Sequence, residues 1–120
     1  MAAGCQLVAS CDLAIAEKNA KFSTPGVNIG LFCSTPMVPL SRTIGRKRAL
    51  DMLLTGRFIS AKEAEKFGLI NKVVDADKLD LETKNLAMKL SKFSGYALAF
   101  GKKTFYNQFD KDEKTAYEYA

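Results

Sequence analysis

The chain has 120 residues, of which 48% are hydrophobic, and it carries a net charge of +5 with a pI near 9.2. It contains no histidine and three cysteines without a C-x-x-C pair, which excludes histidine-based acid–base chemistry and argues against disulfides or a metal site. No apolar run reaches the roughly 18 residues of a membrane span, and no signal peptide, repeat or flexible linker is visible.

The first predicted elements are a helix, two extended segments and a turn. Ala2, Ala3 and Gly4 are small residues ahead of the apolar run 7–11, and they predict a helix opening that lets another group approach the backbone. The free N–H groups of such an opening can hold an anion or an oxyanion. Residues 13–16 predict a short buried strand, residues 21–23 a second extended segment, and residues 24–26 a turn.

Helices dominate the sequence after residue 34. One helix is predicted from about residue 35 to residue 44, with Ser34 as its cap, and another over 46–54 that ends at Gly56. Ser60 and Glu63 form the pattern of a capping box for a helix that ends at residues 67–68. A short extended segment at 69–74 and helices over 81–93 and 97–109 follow. Six aromatic residues between 93 and 109 predict packing against the domain or a neighbouring subunit, or in part an acyl-chain pocket.

The positive charge is concentrated in Arg42, Arg46, Lys47 and Arg48 and is then spread over later lysines. A basic face can bind nucleic acid, but acidic and apolar residues alternate with the later lysines at helical spacing and no nucleic-acid motif accompanies them. A solvated surface explains most of these charges, and some of them could instead meet the phosphates of a coenzyme. We predict no nucleic-acid partner and no membrane span.

Two segments resemble the crotonase family, the enoyl-CoA hydratases and isomerases. The first is AAGCQLVASCDLAIAEKNAKFSTPGVNIGL, and the second is RTIGRKRALDMLLTGRFISAKEAEKFGLINKVV. Within the family the sequence is nearest to a mitochondrial paralogue, on the grounds of AGCQLVASCD and FSTPGVNIGLFCSTP. The resemblance implies an α/β fold of the crotonase spiral type, here its last strand–helix units plus the helical C-terminal region. Residues 1–34 would form the oxyanion-helix and strand/loop region, and residues 35–120 the mainly helical region.

The resemblance also assigns the site residues. The two glutamates of the working hydratases stand at the positions of Gln6 and Gly26, where an amide and a glycine cannot exchange protons. The backbone N–H of Ala3, flanked by Ala2 and Gly4, would be the second oxyanion donor to a thioester oxygen. Ser34 aligns with a position where some members place another acid, which makes it a weak catalytic candidate. We identify no metal ligands and no cofactor, with a coenzyme A thioester as the ligand.

Three functions follow as hypotheses. The first is an acyl-CoA thioester-binding member with little or no hydratase activity. The second is an active enoyl-CoA hydratase/isomerase-type enzyme of fatty acid metabolism that uses another group, and a remoter one is a helical interaction protein. The family's domain is about twice as long as this chain, so we expect a C-terminal portion of a longer protein that lacks the first oxyanion donor. The resemblance further implies a mitochondrial location and a homo-oligomer, either a trimer or a dimer of trimers.

Overall fold

The structure, a computed structural model, describes all residues from Met1 to Ala120. It comprises two compact units, Met1–Thr83 and Lys84–Ala120. The α-helices are α1 Ala2–Ser10, α2 Met37–Ile44, α3 Arg46–Thr55, α4 Ala61–Phe67, α5 Leu79–Ser91, α6 Gly95–Phe109 and α7 Glu113–Tyr119. The strands are β1 Ile15–Glu17, β2 Lys21–Phe22, β3 Ile59–Ser60 and β4 Lys72–Val74, and single 3-10 turns cover Pro25–Ile29 and Ala76–Lys78.

The strands form two small pairs rather than one sheet. Strand β1 pairs in parallel with β4, and β2 pairs antiparallel with β3. The strand predicted over 13–16 begins two residues later, and Leu13 is 45% exposed. The reason is Asn71. Its side-chain oxygen accepts the Ala14 N–H at 2.8 Å, and its backbone N–H donates to the Ala14 carbonyl at 2.8 Å. This exchange fixes the chain just before β1 begins.

The core of the first unit lies where α1 to α4 meet the short strands. Leu40, Met52 and Ile59 are fully buried, and small residues fill the remaining space. The helix predicted over 46–54 is confirmed, and Ala49, Met52 and Leu53 are its buried residues. Close packing of these helices makes each core side chain sensitive to a change in volume.

A capping box starts α4, as predicted. Ser60 Oγ accepts the Glu63 N–H at 3.1 Å, and a Glu63 carboxylate oxygen accepts the Ser60 N–H at 3.4 Å. Arg57 links this cap to the preceding helix, because its guanidinium lies 2.7 Å from a carboxylate oxygen of Asp51 and 3.2 Å from one of Glu63. Arg57 Nε donates to Asp51 Oδ1 at 3.1 Å and Nη2 donates to Oδ2 at 2.7 Å, which is the geometry of a bidentate pair.

Arg57→Gln should weaken the fold in a pH-dependent way. The hydrogen bond from Arg57 holds the pKa of Asp51 below its ordinary value of 3.8. A lowered folded-state pKa stabilises the fold above the unfolded pKa, and this contribution is lost as the pH falls through the folded pKa. We expect the substitution to lower the free energy of unfolding by about 1 kcal/mol at neutral pH.

Urea unfolding at neutral pH and below pH 3.8 measures this difference. The difference between native protein and variant should shrink in acid. Lys47→Gln, on the same helix as Asp51, is the matched control and should have little effect at either pH. An Arg57→Gln effect that is equal at both pH values would contradict the role of the ion pair.

The second unit exposes its aromatic residues. Ser94 Oγ accepts the Ala97 N–H at 3.3 Å at the start of α6, and Asp112 caps α7 in the same way. No residue of α6 is buried. The predicted aromatic packing is seen only between neighbouring rings of the helix, with 6.0 Å between the centroids of Tyr96 and Phe100 and 5.6 Å between those of Phe105 and Phe109.

None of the helices combines the length and apolar character that crossing a membrane requires. No group of three or more histidine, cysteine, aspartate or glutamate side chains is arranged to hold a metal ion.

Candidate functional site

The start of α1 presents unbonded backbone donors. The first helical hydrogen bond runs from the Cys5 N–H to the Met1 carbonyl, at 2.7 Å. The N–H groups of Ala2, Ala3 and Gly4 therefore precede the bonded turns, and Ala3 and Gly4 are exposed. With the partial positive charge of a helix N-terminus behind them, these groups favour an oxygen that gains negative charge.

An open cleft of about 600 Å³ lies beside this helix start. Ala2 and Gly26 both line it, so two of the predicted site residues meet at one surface, whereas Ala3, Gly4, Gln6 and Ser34 are not among the lining residues. The rest of the wall is chiefly apolar and is formed by Met1, Pro25, Asn28, Ile29, Leu31, Phe32, Cys33 and Phe58. No charged side chain lines the cleft.

Gln6 is half-buried and held by a neighbouring loop. Its side-chain oxygen accepts a hydrogen bond from Thr35 Oγ1 at 3.4 Å, and its carbonyl accepts one from Ser10 Oγ at 2.8 Å. An amide in this position can orient a polar group but cannot take up or release a proton near neutral pH.

Gly26 lies in the 3-10 turn Pro25–Ile29, and its surroundings are crowded. A Cβ atom there would lie 3.0 Å from Cys33 Sγ, 3.2 Å from the Cys33 backbone nitrogen and 3.2 Å from the Leu31 carbonyl oxygen. These distances are tighter than ordinary contacts, so a side chain at this position requires its neighbours to move by a few tenths of an ångström. The Cys33 sulfur is the nearest of these neighbours.

The turn that carries Gly26 rests on the end of α3. Gly56 ends this helix with φ +66°, and a Cβ atom there would meet Asn28 Oδ1 at 3.0 Å. The buried Ser23 hydroxyl donates to the Gly56 carbonyl at 3.1 Å. Thr24 follows Ser23, and its fully buried hydroxyl has no partner.

The interpretation of Ser34 as a helix cap is wrong. Ser34 does not cap α2, because the helix begins at Met37, Pro36 occupies the N-cap position, and no side chain bonds the first turn. The three cysteines are free, and Cys11 is exposed. Cys5 is buried, and burial raises the pKa of its thiol. Cys33 is partly buried and forms part of the cleft wall beside Gly26.

Phe58 and Cys33 are site residues that sequence reasoning missed. Phe58 comes from the segment between α3 and β3, far along the chain from Gly26. No local pattern identifies it, since the two segments come together through the pairing of β2 with β3 and through the contact of the turn with the end of α3. For Cys33, the nearness of the small residue Gly26 was the one available signal.

A family model described as enoyl-CoA hydratase/isomerase matches residues 1–120. The chain belongs to the enoyl-CoA hydratase/isomerase family. Among curated relatives, the mouse enoyl-CoA hydratase domain-containing protein 3, mitochondrial, is 57% identical over 97% of this chain and 39% of its own length. A probable enoyl-CoA hydratase of Mycobacterium leprae is 40% identical over 89% of this chain and 42% of its own length.

Solved structures of the family share the crotonase fold. An enoyl-CoA hydratase of Mycobacterium smegmatis superposes with a TM-score of 0.96 at 50% identity, covering 98% of this chain and 46% of that one. The human enoyl-CoA hydratase domain-containing protein 3 superposes with a TM-score of 0.94 at 53% identity, and the match covers 98% of this chain and 47% of the human chain. The chain therefore spans somewhat less than half the length of these family members.

Proposed function

We propose that this chain is the part of an acyl-CoA-binding protein that holds the thioester without hydrating it. The thioester oxygen is bound by the Ala3 N–H at the start of α1, and the acyl group enters the cleft beside Ala2 and Gly26. A second donor would come from a segment outside these residues. The proposed protein retains the polarising part of the family's site and lacks its acid–base pair.

The observation that carries this proposal is the absence of any carboxylate from the cleft lining. Hydration needs groups that hold water and exchange protons with it and with the acyl carbon near neutral pH. Gln6 and Gly26 stand where the family resemblance puts those groups, and Cys33 crowds the position of Gly26.

Location and assembly are part of the same proposal. Several relatives with more than half of their aligned residues identical are named as mitochondrial proteins, which supports a mitochondrial location here. The exposed aromatic residues of α6 support burial against another surface, because contiguous exposed apolar area marks interaction sites. We propose a homo-oligomer, a trimer or a dimer of trimers.

Calorimetric titration and a hydration assay test the proposal on the expressed protein. Butyryl-CoA should bind, whereas crotonyl-CoA should bind without losing the absorbance of its conjugated thioester. A working hydratase of the family serves as the positive control. Loss of that absorbance well above the background rate would instead favour the alternative, an active hydratase/isomerase-type enzyme, which the 50% identity to the Mycobacterium smegmatis enoyl-CoA hydratase supports.

Ala3→Pro probes the thioester donor within the same titration. Proline removes the N–H and is tolerated in the first turn of a helix, where no helical bond is lost. We expect butyryl-CoA affinity to fall about tenfold, the effect of one lost hydrogen bond to a polarised oxygen. Ala2→Pro removes the neighbouring N–H and is the matched control. It should lower the butyryl-CoA affinity clearly less than Ala3→Pro does.

A further inference from the structure

A second cleft, of about 230 Å³, lies between α2 and α3. Its floor is apolar and includes Val38, Leu50 and Leu53, and two arginines, Arg42 and Arg46, stand in its wall. No acidic side chain lines it. The cleft thus combines an apolar floor with unbalanced positive charge.

Phe32 joins this cleft to the proposed thioester site. Its side chain is 42% exposed and lines both the cleft beside Gly26 and the cleft between α2 and α3. A ligand that runs from the start of α1 along Phe32 would reach the arginines after crossing mainly apolar surface. The helix start with its backbone donors and the two arginines thus lie beside two clefts that share Phe32.

The guanidinium groups of these two arginines have more unused hydrogen-bond donors than those of Arg48 and Arg57. Arg42 donates once, from Nη1 to the Val38 carbonyl at 3.3 Å, and Arg46 makes no hydrogen bond or ion pair in the structure. In contrast, Arg48 lies 4.7 Å from the centroid of the Phe67 ring and donates to the Lys66 carbonyl at 3.4 Å. An unpaired guanidinium at the edge of an apolar cleft is suited to a carboxylate.

We propose that the acyl group bound by this protein carries a terminal carboxylate, so that its ligand is a dicarboxylic acid joined to coenzyme A through one end. This inference rests on the proposed thioester binding and narrows its substrate class. The free carboxylate is bound by Arg42 and Arg46, and the methylene chain lies against Phe32 and the apolar floor. Charge complementarity selects this ligand over a plain fatty acyl chain, which would leave both arginines without a counter-ion.

Titration of the expressed protein with suberoyl-CoA and octanoyl-CoA tests the inference, because the two acyl groups have the same number of carbons and differ at the far end. We expect suberoyl-CoA to bind about tenfold more tightly than octanoyl-CoA, because its carboxylate forms two partly exposed charge pairs with the arginines. The preference should fall as salt is raised.

Arg42→Gln with Arg46→Gln should abolish the preference, because suberoyl-CoA then binds no more tightly than octanoyl-CoA. Arg48→Gln removes a charge of the same cluster that does not line the cleft, and it should keep the preference. Equal binding of the two thioesters by the native protein would overturn the inference while leaving thioester binding intact. Binding of neither would overturn the proposed function itself. If Arg48→Gln also lost the preference for suberoyl-CoA, the preference would come from the general positive charge of the surface. That result would overturn the inference too.

Discussion

Glutamate introduced at both position 6 and position 26 should fail to produce a working hydratase. The family resemblance predicts that these two substitutions restore the missing acid–base pair, yet the structure shows that a Cβ atom at position 26 would lie 3.0 Å from Cys33 Sγ. We expect Gly26→Glu to displace the loop and to lower the free energy of unfolding by about 2 kcal/mol, the usual effect of overpacking.

The matching variant adds Cys33→Gly to the two glutamates. It removes the sulfur contact, although the Leu31 carbonyl oxygen and the backbone nitrogen of residue 33 remain at 3.2 Å. We expect crotonyl-CoA hydration to rise about a hundredfold above the double variant, the low end of what a positioned acid–base group supplies.

Loss of the conjugated thioester absorbance measures both rates, and Cys33→Gly alone is the control, which should remain inactive. A double variant that hydrates crotonyl-CoA as fast as the triple variant would show that Cys33 does not obstruct the site.

Leu40→Ala should cause the largest loss of stability in the first unit. Leu40 is fully buried in α2, within the core cluster that α1 and α3 share. Removing its side-chain carbons loses transfer free energy and leaves a cavity, so we expect the free energy of unfolding to fall by about 3 kcal/mol.

Urea unfolding of the expressed protein measures this loss. Leu54→Ala makes the same chemical change on α3 at a side chain that is 60% exposed, and it should shift the free energy of unfolding by less than about 0.5 kcal/mol. Similar losses in the two variants would mean that burial within this unit does not determine the contribution of Leu40.

The predictions that succeeded depend on short-range patterns. The capping box of Ser60 and Glu63 spans four residues, and the buried face of α3 follows from helical spacing. The predictions that failed depended on contacts with other parts of the structure, which local sequence patterns do not show. Ser34 looked like a helix cap because serine often is one, but the helix starts at Met37, beyond its reach.

The residues that line the cleft beside Gly26 also could not be predicted from local patterns. Phe58 lies near Gly26 because β2 pairs with β3 and because the turn that carries Gly26 rests on the end of α3. Each of these strands has two residues, which is too few to produce a periodic signal. The second cleft likewise depends on how α2 lies against α3, and Arg42 and Arg46 looked in the sequence like parts of one undivided basic cluster.

The sequence by itself determined the family and the absence of a carboxylate at positions 6 and 26, because that absence is a property of the residues and needs no coordinates. It also determined the helix start that offers the Ala3 N–H. Only the tertiary structure decided that a side chain at position 26 would crowd Cys33, and that Phe32 lines two clefts. These features arise from contacts between segments separated along the chain, and such contacts depend on how the whole unit packs.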